Sequence, residues 1–161
     1  MTVSPWKKQF AINNAYETID ALTMTGVFDR PNDPFFQAAV TQLLICMKEL
    51  LQIAGDLGER IRFTDDGADK IGNPPDVTSL ISAARDAACH VASPQSYRAE
   101  ILLRFEGVKG REPNAFNIDG VPFGCDYEDD VAIFFGPMRV YLRRHVFRAL
   151  NSLRTVLPVK N

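Results

Sequence analysis

The sequence predicts a mainly α protein: a four-helix up-and-down bundle with a small β-hairpin-rich insertion between helices three and four, at about residues 98–136. Three observations carry that expectation. Apolar residues recur at three-four spacing in four separate stretches. The spacing changes to two between the third and fourth. An Asp-Gly pair then sits between short apolar runs, as in a tight hairpin turn. With 161 residues, 46% of them hydrophobic, the chain suits one domain built on one core.

The first helix starts at Pro5 and runs to about Val27, with Trp6, Phe10, Ile12, Ala15, Tyr16, Ile19 and Leu22 assigned to its core face. The second starts at Asp33-Pro34, a capping side chain followed by a proline at the first helical position. Phe36, Val40, Leu43, Leu44, Met47, Leu50, Leu51, Ala54 and Leu57 line it, and Phe35, Ile45 and Ile53 widen the stripe. A helix this apolar is either central or covered by a second copy of the chain. Residues 58–75, rich in charge, Gly and Pro, read as a polar connection. Asp76 opens the third helix, which ends near Ala92 because Ser93 precedes Pro94.

Ile101, Leu103 and Phe105 alternate with charged residues as in a strand. "FNIDGVPF" is the hairpin, its second arm held to an edge by Pro122. "VAIFF" is a further short strand, and Gly136-Pro137 opens the last helix, lined by Met138, Leu142, Val146, Ala149, Leu150, Leu153, Val156 and Leu157.

Composition sets limits on function. The net charge of −2 gives no global attraction to nucleic acid. The charges are uneven, however: Arg139, Arg143, Arg144, Arg148, Arg154 and Lys160 follow Met138 with no acidic residue among them, and the acidic run "DYEDD" precedes them. Three widely spaced cysteines form neither a disulfide framework nor a thiolate metal site. No continuous apolar run approaches the ~20 residues of a membrane span, and "MTVSPWKKQF" lacks the apolar centre of a signal peptide. A cytoplasmic protein that needs no membrane, cofactor or metal is the expectation.

The stretch that bears chemistry is "RDAACH", residues 85–90. Arginine matches phosphate oxygens with two parallel hydrogen bonds, and histidine moves protons near neutral pH. At the negative end of a helix dipole the imidazolium is favoured, which suits a general acid. Asp86 is placed to orient its neighbours. A five-residue offset rotates about 140° on a helix, so Arg85 and His90 of one chain diverge, whereas a two-fold axis would bring one copy's arginine to the other's histidine. The ordinary alternative is a histidine that ends a helix and an arginine on its polar face.

Arg85, the polar Asp86 and His90 near the end of a third helix resemble the Arg-polar-x-x-x-His motif of the HEPN family. The resemblance implies a four-helix bundle acting as a homodimer. It also implies a metal-independent endoribonuclease of toxin or defence type, with Arg85, His90 and Asp86 catalytic and a cyclic phosphate as product. RNA and a cognate antitoxin are the implied partners. Other members of that family are non-catalytic nucleotide-, RNA- or protein-binding modules, the competing expectation here.

Arg139, Arg143, Arg144 and Arg148 are the candidates for guiding an RNA backbone, against an ordinary reading as cations complementing a helix dipole. The "DYEDD" carboxylates read as a hydrated loop, and His145 as packed or hydrogen-bonded. Phe116, Phe123, Tyr127, Phe134 and Phe135 are expected to form a satellite core rather than a base-stacking surface. Cys89 beside His90 faces away from it by about 100°.

Overall fold

A computed structural model describes residues 4–65, 74–89 and 104–160. Helix α1 spans Pro5–Met24, α2 Phe36–Asp56 and α3 Val77–Cys89. α2 is the central element, packing against α1 and α3 and, near the end of the chain, against α4 (Arg148–Val156). Its inward residues Leu43, Leu44, Met47, Leu50 and Leu51 are at most 2% exposed. Burial of one such side chain stabilises the fold by roughly 1.5–3 kcal/mol. α2 is long and apolar enough, by length and composition, to cross a membrane, with a mean hydropathy of 1.3; half of that window is buried inside the protein.

The helix starts follow from local chemistry. The Asp33 carboxylate accepts from the Phe35 backbone N–H at 2.9 Å, leading into α2 two residues after the expected start. The Asp76 carboxylate accepts from the Ser79 N–H at 2.8 Å and caps α3. Arg60 grips the same carboxylate, Thr78 donates to the Ile61 carbonyl, and the chain entering the 58–75 connection is thereby laid along α3.

α1 differs from expectation in one respect. Ile12, Ala15, Tyr16 and Ile19 are buried, but Trp6 and Phe10 are 67% and 68% exposed. Phe10 and Ile12 lie about 200° apart around a helix, so the seven residues assigned to one face occupy two.

The larger correction concerns the fold class. The chain is not a four-helix up-and-down bundle with a peripheral insertion. Among the described residues five strands follow α3: β1 Arg104–Lys109, β2 Glu112–Ile118, β3 Val121–Cys125, β4 Val131–Phe135 and β5 Met138–Tyr141. They form an antiparallel sheet in the order β1-β4-β5 and a two-stranded ribbon β2-β3. Every residue of β4 is buried. Its alternation sends Val131, Ile133 and Phe135 into the helical core, while Ala132 and Phe134 join Val108, Cys125 and Tyr141 in a second cluster. A strand buried on both faces is a structural layer, so the expected appendage is an integral part of the core.

The hairpin turn is as expected: Asp119 and Gly120 both take positive φ, 52° and 83°, the backbone that Asp-Gly favours. Gly136-Pro137 is a second turn, with Gly136 at φ 61°, and β5 follows where a helix was expected. Met138 and Val140 point into the helical core while Arg139 does not. The last helical segment begins with a π-helical turn, Leu142–Phe147, and continues as α4. Asp130 sits against its start: one carboxylate oxygen accepts from the N–H groups of Val131 and Arg143, each at 2.8 Å, and the other from that of Arg144 at 3.1 Å.

Candidate functional site

α3 turns Val77, Leu80, Ile81, Ala84 and Ala88 inward, which leaves Arg85 and Asp86 on the flank of the stripe. Opposite them, α2 supplies Lys48. Its Nζ donates to Asp86 Oδ1 at 2.7 Å, and Arg85 donates to the same oxygen at 3.0 Å. Two cations thus share one carboxylate, and the group carries net positive charge. The Lys48 hydrogen bond, seconded by that of Arg85, holds the Asp86 carboxyl below its ordinary range. The side chains of Lys48, Arg85 and Asp86 are 35%, 33% and 49% exposed. Ion pairs this open contribute little to stability, about 0–1 kcal/mol, and remain accessible to a ligand.

Cys89, exposed, is the last described residue of α3. His90 lies outside the described residues, so the structure joins Arg85 to Asp86 and leaves the histidine's position open. Lys48 was not foreseen. Its signal is compositional: Lys48 is the one basic residue in the Phe36–Asp56 helix, opposite the polar flank of α3.

The four arginine candidates each have a carboxylate partner. Arg139, on β5 rather than on a helix, pairs with Asp126 at 3.0 Å, donates to the Gly124 carbonyl and lies 4.8 Å from the Tyr141 ring centroid. Arg143 is 3.6 Å from Asp29. Arg144 contacts Asp129 at 3.0 Å and Asp130 at 3.1 Å, and its guanidinium lies 3.6 Å from the Tyr127 ring centroid. Arg148 pairs with Asp65 at 2.7 Å and covers Phe63. Asp126, Asp129 and Asp130 of the acidic run are therefore arginine partners, not a freely hydrated loop.

His145 is fully buried, and its Nδ1 accepts from the Tyr141 N–H at 3.0 Å. An accepting Nδ1 carries no proton, which places this histidine in a structural role at the strand-to-helix junction. Burial pushes the Tyr141 phenol and the Cys125 thiol up, so neither is primed as a nucleophile. Phe116, Phe123, Tyr127 and Phe134 belong to the second cluster, Phe135 to the main core. Among the described residues no group of three or more His, Cys, Asp or Glu is placed to hold a metal ion. No family model, curated protein or solved structure matches the chain.

Proposed function

We propose that this protein is a metal-independent endoribonuclease that acts as a homodimer, with the α2–α3 face as its phosphate-binding surface. The observation that supports this reading is the exposed Lys48–Asp86–Arg85 cluster. It holds two cations in fixed positions with one compensating charge, and Asp86 precedes His90 by four residues in the sequence. A phosphodiester fits this arrangement: Arg85 and Lys48 neutralise its non-bridging oxygens, and Asp86 sets the direction of both side chains. The ribose 2′-oxygen attacks phosphorus and the P–O5′ bond breaks. The 2′-hydroxyl proton passes to solvent or a base, and His90 delivers a proton to the departing 5′-oxygen. The products are a 2′,3′-cyclic phosphate and a 5′-hydroxyl. The toxin or defence setting and the cognate antitoxin are proposed on the motif resemblance.

The test is RNA cleavage in EDTA by wild type, Arg85→Ala, Lys48→Ala and His90→Ala at matched folding and oligomeric state. Losing the proton donor or the arginine is expected to lower the rate about 100-fold or more, and losing Lys48 about tenfold. Cleavage that survives in Arg85→Ala and His90→Ala would overturn the assignment. One observation favours a second reading, a non-catalytic binding module: Arg139, Arg143, Arg144 and Arg148 are all engaged by carboxylates. On that reading, the wild type binds RNA or a protein and leaves RNA intact.

A further inference from the structure

The first turns of α1 present an aromatic pair that the core does not use. Trp6 and Phe10 are four residues apart, so they share a helix face about 6 Å apart along the axis, and both are about two-thirds exposed. The C-terminal stretch runs beside them: Gln9 donates to the Pro158 carbonyl at 3.2 Å and Asn13 to that of Lys160 at 2.9 Å. This fixes Val159, 53% exposed, and Lys160 on one side of the pair. Lys7 stands on the other, its Nζ 5.7 Å from the Trp6 ring centroid. Residues 4–16 and 157–160 contain Lys7, Lys8 and Lys160 and no carboxylate. No ion pair engages these lysines among the described residues.

Isolated exposed apolar residues are ordinary. Two aromatic rings at one helical turn, flanked by unpaired cations and set at the positive end of a 20-residue helix, form a surface for a polyanion with planar groups. We infer that this patch binds single-stranded RNA, with bases stacking on Trp6 and Phe10 and phosphates beside Lys7 and Lys160. A lipid surface fits less well. The positions that continue the same stripe of α1 are Asn14 and Glu17, both exposed, and a helix lying in a membrane interface would drive them into the apolar layer. A short contact with one nucleic-acid strand needs the first turns alone. The inference rests on the RNA reading for its ligand class and not on cleavage.

Trp6 is the chain's one tryptophan, so its emission reports the patch directly. The full-length Arg85→Ala/His90→Ala double variant is titrated with a dodecameric oligouridylate and, separately, with vesicles of equimolar phosphatidylcholine and phosphatidylglycerol. Saturable quenching by the oligonucleotide is expected, with log K falling against log salt at a slope of about −1.4, for two phosphate contacts on a single strand. Phe10→Ala weakens binding roughly 5- to 150-fold, as one stacking platform is worth. Lys7→Gln with Lys160→Gln flattens the salt dependence. A blue shift with vesicles and no response to the oligonucleotide would assign the patch to membranes and overturn the inference, as would no response to either. Quenching without wild-type cleavage refutes the nuclease and keeps the patch; cleavage without quenching does the reverse.

Discussion

Asp130→Ala should be among the most damaging single substitutions in the β-rich half. The side chain is 1% exposed and accepts from the backbone of Val131, Arg143 and Arg144 and from the Arg144 guanidinium. Truncation leaves three backbone donors without that acceptor, one at the start of β4 and two at a helix start, where losing a cap alone costs about 0.5–2 kcal/mol. Breaking a buried ion pair costs about 3–5 kcal/mol. Arg144 is 25% exposed and keeps Asp129, so the ion-pair loss falls below that range, at about 2 kcal/mol, and with about 1 kcal/mol for the cap the sum is about 3 kcal/mol. Asp130→Asn keeps one accepting oxygen and turns an amide toward Arg144, for about 2 kcal/mol. In urea, with a slope of about 2 kcal/mol/M, Asp130→Ala should lower the midpoint by about 1.5 M. A shift under about 0.5 M would refute the assignment of Asp130 as the anchor of the last helix.

Other substitutions separate structural from functional roles. Asp86 has its folded pKa depressed from an ordinary 3.8, so its stabilising contribution is present above that value and is lost as pH falls through the lower, folded one. Asp86→Asn should therefore cost less than about 1 kcal/mol at neutral pH, because the carboxylate is half exposed. Its gap from wild type should close once the pH falls below the folded value, and a gap that persists in urea titrations in strong acid would contradict the ion-pair account. Gly124→Ala places a Cβ 1.9 Å from the Glu112 carbonyl oxygen and should cost about 3 kcal/mol by forcing β2 and β3 apart. Gly55→Ala, with open space around it on α2, should stabilise by about 0.5–1 kcal/mol in the same denaturation assay. Tyr16→Phe removes a buried hydroxyl that has no hydrogen-bond partner among the described residues and whose pKa burial pushes up to about 12. It should stabilise by about 1 kcal/mol and raise Tm about 2–4 °C; a fall in Tm would mean that the hydroxyl is satisfied by water.

The helices were legible where one signal dominated. α2 carries apolar residues at almost every inward position, and Asp33 and Asp76 marked the starts of α2 and α3 through short-range hydrogen bonds that sequence encodes locally. β4 and the Asp119-Gly120 turn were legible for the same reason. β5 was hidden because Met138, Leu142 and Val146 also fit helical spacing, while its own two-residue alternation spans four residues, Met138–Tyr141. The fold class failed on a larger scale. "VAIFF" was recognised as a strand, but which surfaces cover its two faces is a tertiary fact with no local signature.

The same limit governs the site. Arg85 and Asp86 adjoin in sequence, yet the residue that gives the pair its net charge comes from α2, 38 positions away. Conversely, the arginines that looked in sequence like a cationic stripe are matched by Asp29, Asp65, Asp126 and Asp129, which the fold delivers from other segments. Exposed cations that no carboxylate neutralises are the ones able to draw a polyanion, because a charge already paired at close range contributes little to the field beyond it. By that criterion Arg139 and Arg144 belong to the architecture of the β-rich half. The cations to probe for RNA are Lys48 and Arg85, which outnumber their one carboxylate, and Lys7 and Lys160, which no ion pair engages among the described residues. Charge reversal at Arg139 should accordingly damage folding before RNA binding, whereas reversal at Lys7 should weaken RNA binding with the denaturation midpoint unchanged, and reversal at Lys48 should do so with a stability loss of only about 1 kcal/mol from its exposed ion pair with Asp86.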